Sequence, residues 1–287
     1  MMQFQGIPLV TLGPGSQPVE EDLHYMALPR EVDSFAMPYL PTAEETTELS
    51  AAKAVLASLI EQMADGKATA YATVDHLDAA NRTLLAQVLG EGEVSARVKY
   101  LNGHELCIQE SVFAGVWRVL QYDSAGQLLA DWVEANDIPC AVWQQAAAFA
   151  NTTLTPLAIG EACLMNAPAV IHELAQRVVS YRSAEDDHVI NLSLLPMTPE
   201  DIAYIDAHLG GGNSGVFSRG YGKCRVMSTQ LQHVWRVQYF NGMNQVLLDT
   251  IEICRIPEVV LAAEEDRQDA KQRLQEALAW LSGVAHD

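Results

Sequence analysis

The chain has 287 residues and carries 17 Lys and Arg against 37 Asp and Glu, a formal net charge of −20. Apolar residues make up 49% and charged residues 19%, the balance of a folded globular chain rather than a disordered one, and the length allows two units or one large domain. So negative a surface repels phosphate backbones and anionic lipid, which argues against nucleic acid and membranes as partners and favours a basic or weakly charged protein.

The start, MMQFQGIPLVTLGPG, has no basic n-region, and its apolar run is too short for a signal peptide. No later stretch reaches the roughly 18 apolar residues of a spanning helix, so the chain is expected to remain in the cytoplasm without membrane insertion. Turn formers at Gly13, Pro14, Gly15, Pro18, Pro38 and Pro41 predict an extended arm over 1–42. A helix is expected over 44–63, where Leu49, Leu56, Leu59, Ile60 and Met63 share one face.

From there the chain repeats itself. Val116-Trp117-Arg118-Val119 returns as Val234-Trp235-Arg236-Val237, and at the same spacing of 118 Asp131, Glu134, Ile138 and Pro139 match Asp249, Glu252, Ile256 and Pro257. Upstream, Leu89-Gly90-Glu91-Gly92 matches Leu209-Gly210-Gly211-Gly212 at a spacing of 120. A helix capped by Asp78, and another capped by Thr198 with Pro199 at its first position, should precede these glycines, which act as C-terminal stops. After them, alternating runs over 94–101, 105–110, 116–122 and 129–135 predict an antiparallel meander, and runs over 216–219, 223–227, 234–239 and 246–254 repeat it. A helix over 168–181 opens the second copy and one over 262–281 closes the chain. The expected fold class is α+β: two tandem copies of a helix, helix, four-strand meander, helix unit, over 43–160 and 161–287, packed pseudo-symmetrically.

The search for chemistry finds little that demands catalysis. Gly90-Glu91-Gly92 closes a helix instead of opening one, so it reads as a cap and turn and not as a phosphate loop. His104 and Cys107, three apart on a strand, point to opposite faces and cannot share a metal. Five cysteines without a CxxC encode neither a disulfide framework nor a zinc knuckle. Cys224, between Lys223 and Arg225, is a candidate for a thiolate-favouring site, against the reading of a half-buried strand thiol. Cys107 and Cys224 lie nine and ten residues before the repeated Val-Trp-Arg-Val, which suggests related positions in the two copies. Trp117 and Trp235 should be sheet core, leaving Arg118 and Arg236 on the opposite face with Asp131, Glu134, Asp249 and Glu252 as cross-strand partners.

Gly13-Pro14-Gly15-Ser16-Gln17-Pro18, Leu89-Gly90-Glu91-Gly92-Glu93-Val94-Ser95, Gly115-Val116-Trp117-Arg118-Val119, Leu164-Met165-Asn166, Gly220-Tyr221-Gly222 and the run from Ile253 to Ala263 resemble, in order, the HyaF/HupH family of hydrogenase expression and formation proteins, encoded with uptake nickel-iron hydrogenases. The resemblance implies a non-catalytic accessory protein that binds the iron-sulfur small-subunit precursor before it joins the large subunit, acting with a thioredoxin-like accessory protein. It carries over no catalytic residues, cofactor or metal. Partner-binding candidates are therefore read from the residues themselves: Glu91 and Gly92, Tyr221, Gly222 and Cys224, and Glu252 and Glu258. The alternative is a redox or metal-handling accessory protein in the same pathway, working through Cys224.

Overall fold

The computed structural model describes residues 41–42, 46, 48–64, 70–154, 164–220 and 222–283. The expected arm over 1–42, apart from its last two residues, lies outside them. Helices α1 (Ser50–Ala64), α2 (Ala79–Leu89), α3 (Cys140–Phe149), α4 (Ala167–Ser180), α5 (Pro199–Leu209) and α6 (Glu264–Leu281) accompany strands β1 (Ala70–Thr73), β2 (Val94–Lys99), β3 (Glu105–Glu110), β4 (Val116–Tyr122), β5 (Leu128–Ala135), β6 (His188–Asn191), β7 (Ser214–Ser218), β8 (Lys223–Ser228), β9 (Val234–Phe240) and β10 (Val246–Ile253). The class is α+β. The strands form one antiparallel sheet in the order β1-β5-β4-β3-β2-β7-β8-β9-β10-β6.

Each half has five strands where the sequence predicts four. The additional strands β1 and β6 have only four residues each, too short for alternation to announce them. Both lie at the sheet edges, and their pairings recur at a spacing of 118: Ala70 faces Ala135, and His188 faces Ile253. The join between the halves is the β2–β7 ladder, centred on Ala96 opposite Val216, with Val94 opposite Ser218 and Val98 opposite Ser214.

The predicted caps explain why the helices begin where they do. Asp78 Oδ1 accepts from the Asn81 backbone N–H at 2.8 Å, and Thr198 and Asp201 form a reciprocal capping box at the start of α5. Asp201 also accepts from the N–H groups of Met165 and Ala167 at 2.9 and 3.0 Å, tying the entry of α4 to α5. Gly90 and Gly210 end α2 and α5 with φ of 56° and 58°, a region that favours glycine.

Three apolar clusters hold the layers together. On one face of the sheet, α1, α2 and α6 pack over β1 and β5 through Leu56, Leu59, Leu84, Leu85, Leu274 and Leu281. On the same face at the other end, α4 and α5 cover β9 and β10 through Leu174, Ile205, Leu209, Val234 and Ile251. The opposite face carries Trp117, Val119, Trp235 and Val237 along the middle strands, covered by Val142 and Ala146 of α3 and by Ile256 and Val260. The two ends of the chain sequence thus interlock: α6, which follows the second meander, buries its apolar stripe against the helices of the first half.

Candidate functional site

Strand alternation sorts the functional candidates onto two faces. On β4, Trp117 and Val119 enter the core, and Trp117 Nε1 donates to the Asn136 carbonyl at 3.0 Å. Arg118 points the other way and donates two hydrogen bonds, of 3.2 and 2.9 Å, to the buried carboxylate of Asp131. Arg236 grips Asp249 in the same manner and extends Nη1 to Asp206 of α5 at 2.9 Å. The expected Arg–Asp pairings therefore form. Glu134 and Glu252 do not join them, because each lies three residues beyond its strand's aspartate and faces the opposite side. Glu134 instead accepts from Trp132 Nε1 at 2.9 Å and Glu252 from the Thr250 hydroxyl at 3.1 Å. Burial raises both carboxyl groups above their ordinary range.

Between the two helical layers, a groove of about 340 Å³ opens among the described residues beside the end of α2. Its walls include Ala86 and Glu91 from α2 and the turn after it, Arg97 and Cys107 from β2 and β3, Arg118 from β4, and Arg219 beyond β7. Sequence reasoning picked out Glu91 but missed Arg97 and Arg219 as groove residues; only the β2–β7 ladder brings them together. A second cavity of about 300 Å³ lies on the tryptophan face beside α3, lined by Trp143, Leu231, His233, Trp235 and Arg255.

The remaining candidates are spread over the molecule. Gly92 is a structural glycine: its N–H donates to the Glu110 carbonyl at 2.7 Å, and a Cβ there would stand 2.3 Å from the Ser111 oxygen. Gly222, with φ of 97°, turns the β7–β8 hairpin near Arg219, while Tyr221 lies outside the described residues. Glu258 is exposed at the start of a short 3-10 turn, Glu258–Val260.

Of the two readings of Cys224, the structure favours the strand thiol. It is 4% exposed and packs in the core of the tryptophan face, while its neighbours Lys223 and Arg225 project to the other side of the strand. Burial pushes its thiol up to about 11, against the thiolate-favouring reading. Nor are Cys107 and Cys224 related in position. At the spacing of 118 the counterpart of Cys107 is Arg225, and an offset of one residue moves a side chain to the other face, so Cys107 meets the groove and Cys224 the core. Among the described residues no group of three or more His, Cys, Asp or Glu is placed to hold a metal ion, and no helix is long and apolar enough to cross a membrane.

Comparison with known proteins gives this architecture its family. The model of the HupH hydrogenase expression protein C-terminal conserved region matches residues 49–156 and 164–281. The hydrogenase expression/formation protein HoxQ of Cupriavidus necator is 39% identical over 97% of this chain and 98% of its own length. HupH of Rhodobacter capsulatus is 40% identical over 95% and 96%, and the hydrogenase-1 operon protein HyaF of Escherichia coli 34% identical over 96% of each chain. The solved structure of a HupH protein from Thiobacillus denitrificans aligns with 40% of this chain and 95% of that one, at 29% identity and a TM-score of 0.37. The chain belongs to the HupH family of hydrogenase expression proteins.

Proposed function

We propose that this protein is a non-catalytic maturation chaperone which binds the iron-sulfur small-subunit precursor of an uptake nickel-iron hydrogenase in the cytoplasm, before that subunit meets the large subunit. Family membership supports a role in hydrogenase formation, and the observation that carries a binding role is the open, arginine-bearing groove between the two helical layers. Glu91 and, from the β7–β8 hairpin, Arg219 line this groove; Glu91 and Gly222 are proposed contacts there, and Glu252 and Glu258 are proposed as a second, peripheral patch. A thioredoxin-like accessory protein is a proposed further partner on the same precursor.

The scaffold is proposed to be a tandem duplication, with units over 43–160 and 161–287 related by a pseudo-twofold axis through the Ala96–Val216 pair. Matching of one family model to two segments and recurrence of strand pairings at a spacing of 118 support it. The burial and raised thiol of Cys224 count against the redox alternative.

The test is co-purification from cells that express a tagged small-subunit precursor and lack the large subunit. Stoichiometric retention of this chain is the expected outcome. An intact precursor that retains none of it removes the chaperone reading.

A further inference from the structure

The two halves place the same ion pair in different surroundings. Arg118 and Asp131 recur as Arg236 and Asp249 at a spacing of 118, and α2 recurs as α5 at a spacing of 120. In the second half the guanidinium of Arg236 is clamped from both sides, by Asp249 and by Asp206 of α5. The residue of α2 that corresponds to Asp206 is Ala86, which is exposed. Arg118 therefore has one carboxylate where Arg236 has two, and among the described residues nothing accepts from its Nη1. Its side chain is 27% exposed against 6% for Arg236.

The surrounding positions differ in the same sense. Where the first half has Cys107, the second has Arg225, which reaches Gln238 Oε1 at 2.6 Å and lies over the Phe240 ring. Where the first half has Gln109, the second has Met227, 3% exposed. Larger or clamped side chains thus fill the second half, while the first half keeps its groove. Arg97 and Arg219 add two further cations to its wall beside Glu91, so the groove gathers three arginines on a chain of net charge −20. Arg97 has only a loose contact with Glu105, at 3.4 Å.

We propose that the groove is a carboxylate-binding site, in which an aspartate or glutamate side chain of a partner polypeptide takes the place on Arg118 that Asp206 takes on Arg236. A guanidinium presents a planar fork of donors that suits a carboxylate, and Asp206 shows in this fold that the approach from the helix side is sterically allowed. The field of the rest of the molecule repels acidic chains, so the fitting partner segment carries an isolated acid within a neutral or basic stretch. This deepens the chaperone reading by naming the chemistry of the grip, and the carboxylate site stands or falls apart from the identity of the partner.

The test follows the arginine Nε–H resonances, which are hydrogen-bonded in both Arg118 and Arg236 and so exchange slowly, during titration with N-acetyl-aspartate N-methylamide. A saturable shift of Arg118 is expected, with Arg236 unmoved and with no response to the asparagine analogue. Ala86→Asp supplies the carboxylate in cis: it should melt at or above the wild-type temperature and lose the saturable shift. Arg97→Ala, an exposed substitution that leaves the buried Asp131 pair intact, should weaken binding at least tenfold. Absence of saturation, an equal response at Arg236, or unchanged binding in Ala86→Asp overturns the proposal. In the co-purification, loss of the precursor from Ala86→Asp but not from wild type assigns the groove to that partner, and equal retention by both takes it away. Wild type that retains no precursor removes the chaperone reading and leaves the titration result standing.

Discussion

Leu274 of α6 offers a direct probe of how the two ends of the chain are interlocked. It is fully buried among the helices of the first half, although it follows the second meander in sequence. Leu274→Ala removes three carbon groups at about 0.8 kcal/mol each, a transfer loss of ~2.4 kcal/mol. The cavity left behind brings the total to between about 2.5 and 5 kcal/mol, according to how far α1 relaxes towards α6. For a chain of this size that lowers the melting temperature by roughly 5–10 °C. Peptide-resolved hydrogen exchange then locates the loss: protection should fall in α1, α2 and β1 and hold in α4 and α5, which share no apolar cluster with α6. A loss confined to α4 and α5 would refute the packing assigned to α6, and a cost below about 1 kcal/mol would show that Leu274 is not buried in solution.

Other consequences are equally open to measurement. Asp206→Ala takes one charged partner from the buried Arg236 while Asp249 remains, and should cost about 1.5–3 kcal/mol in urea unfolding. Glu134 and Glu252 have carboxyl groups raised by burial, so the fold binds their protons more tightly than the unfolded chain does. Their contribution therefore falls as pH rises from the ordinary value of 4.5 through the raised one; Glu134→Gln and Glu252→Gln should stabilise the protein at neutral pH, with the gain vanishing below pH 4.5. Gly92→Ala sets a methyl against the Ser111 carbonyl and should destabilise by about 1–3 kcal/mol in thermal melts. Iodoacetamide at neutral pH should leave Cys224 unlabelled in the folded protein, with mass spectrometry showing alkylation only after denaturant is added.

Much of the fold could be read from the chain because its signals are local. Asp78, Thr198 and the glycines after α2 and α5 fix helix ends through their own hydrogen bonds and dihedral angles, and β3 and β4 begin and end where alternation places them. The strands β1 and β6 escaped notice because four residues cannot display a period, and they are defined only by pairing with β5 and β10. The placement of α6 over α1 was hidden for a similar reason: an apolar stripe says that a helix packs, and not on what. At the site, sequence spacing paired Arg118 with Asp131 correctly. For Cys224 it left two readings open, and the strand thiol prevails because the flanking cations lie across the sheet from it and burial outweighs them. The groove itself depends on Ala86 and Arg219, residues without any chemical signature that become neighbours only through tertiary pairing.

Among the described residues the ten-stranded sheet ends on its two shortest strands, Ala70–Thr73 and His188–Asn191. Four residues offer an incoming strand too few free backbone groups for a lasting ladder, so lateral growth stops at the tenth strand. Had either β2 or β7 been left at a margin, a longer ladder would have stood open to other chains. Pairing them with each other in the middle turns the most adhesive borders of the molecule into its internal seam. The molecule is thereby kept from polymerising with its own kind.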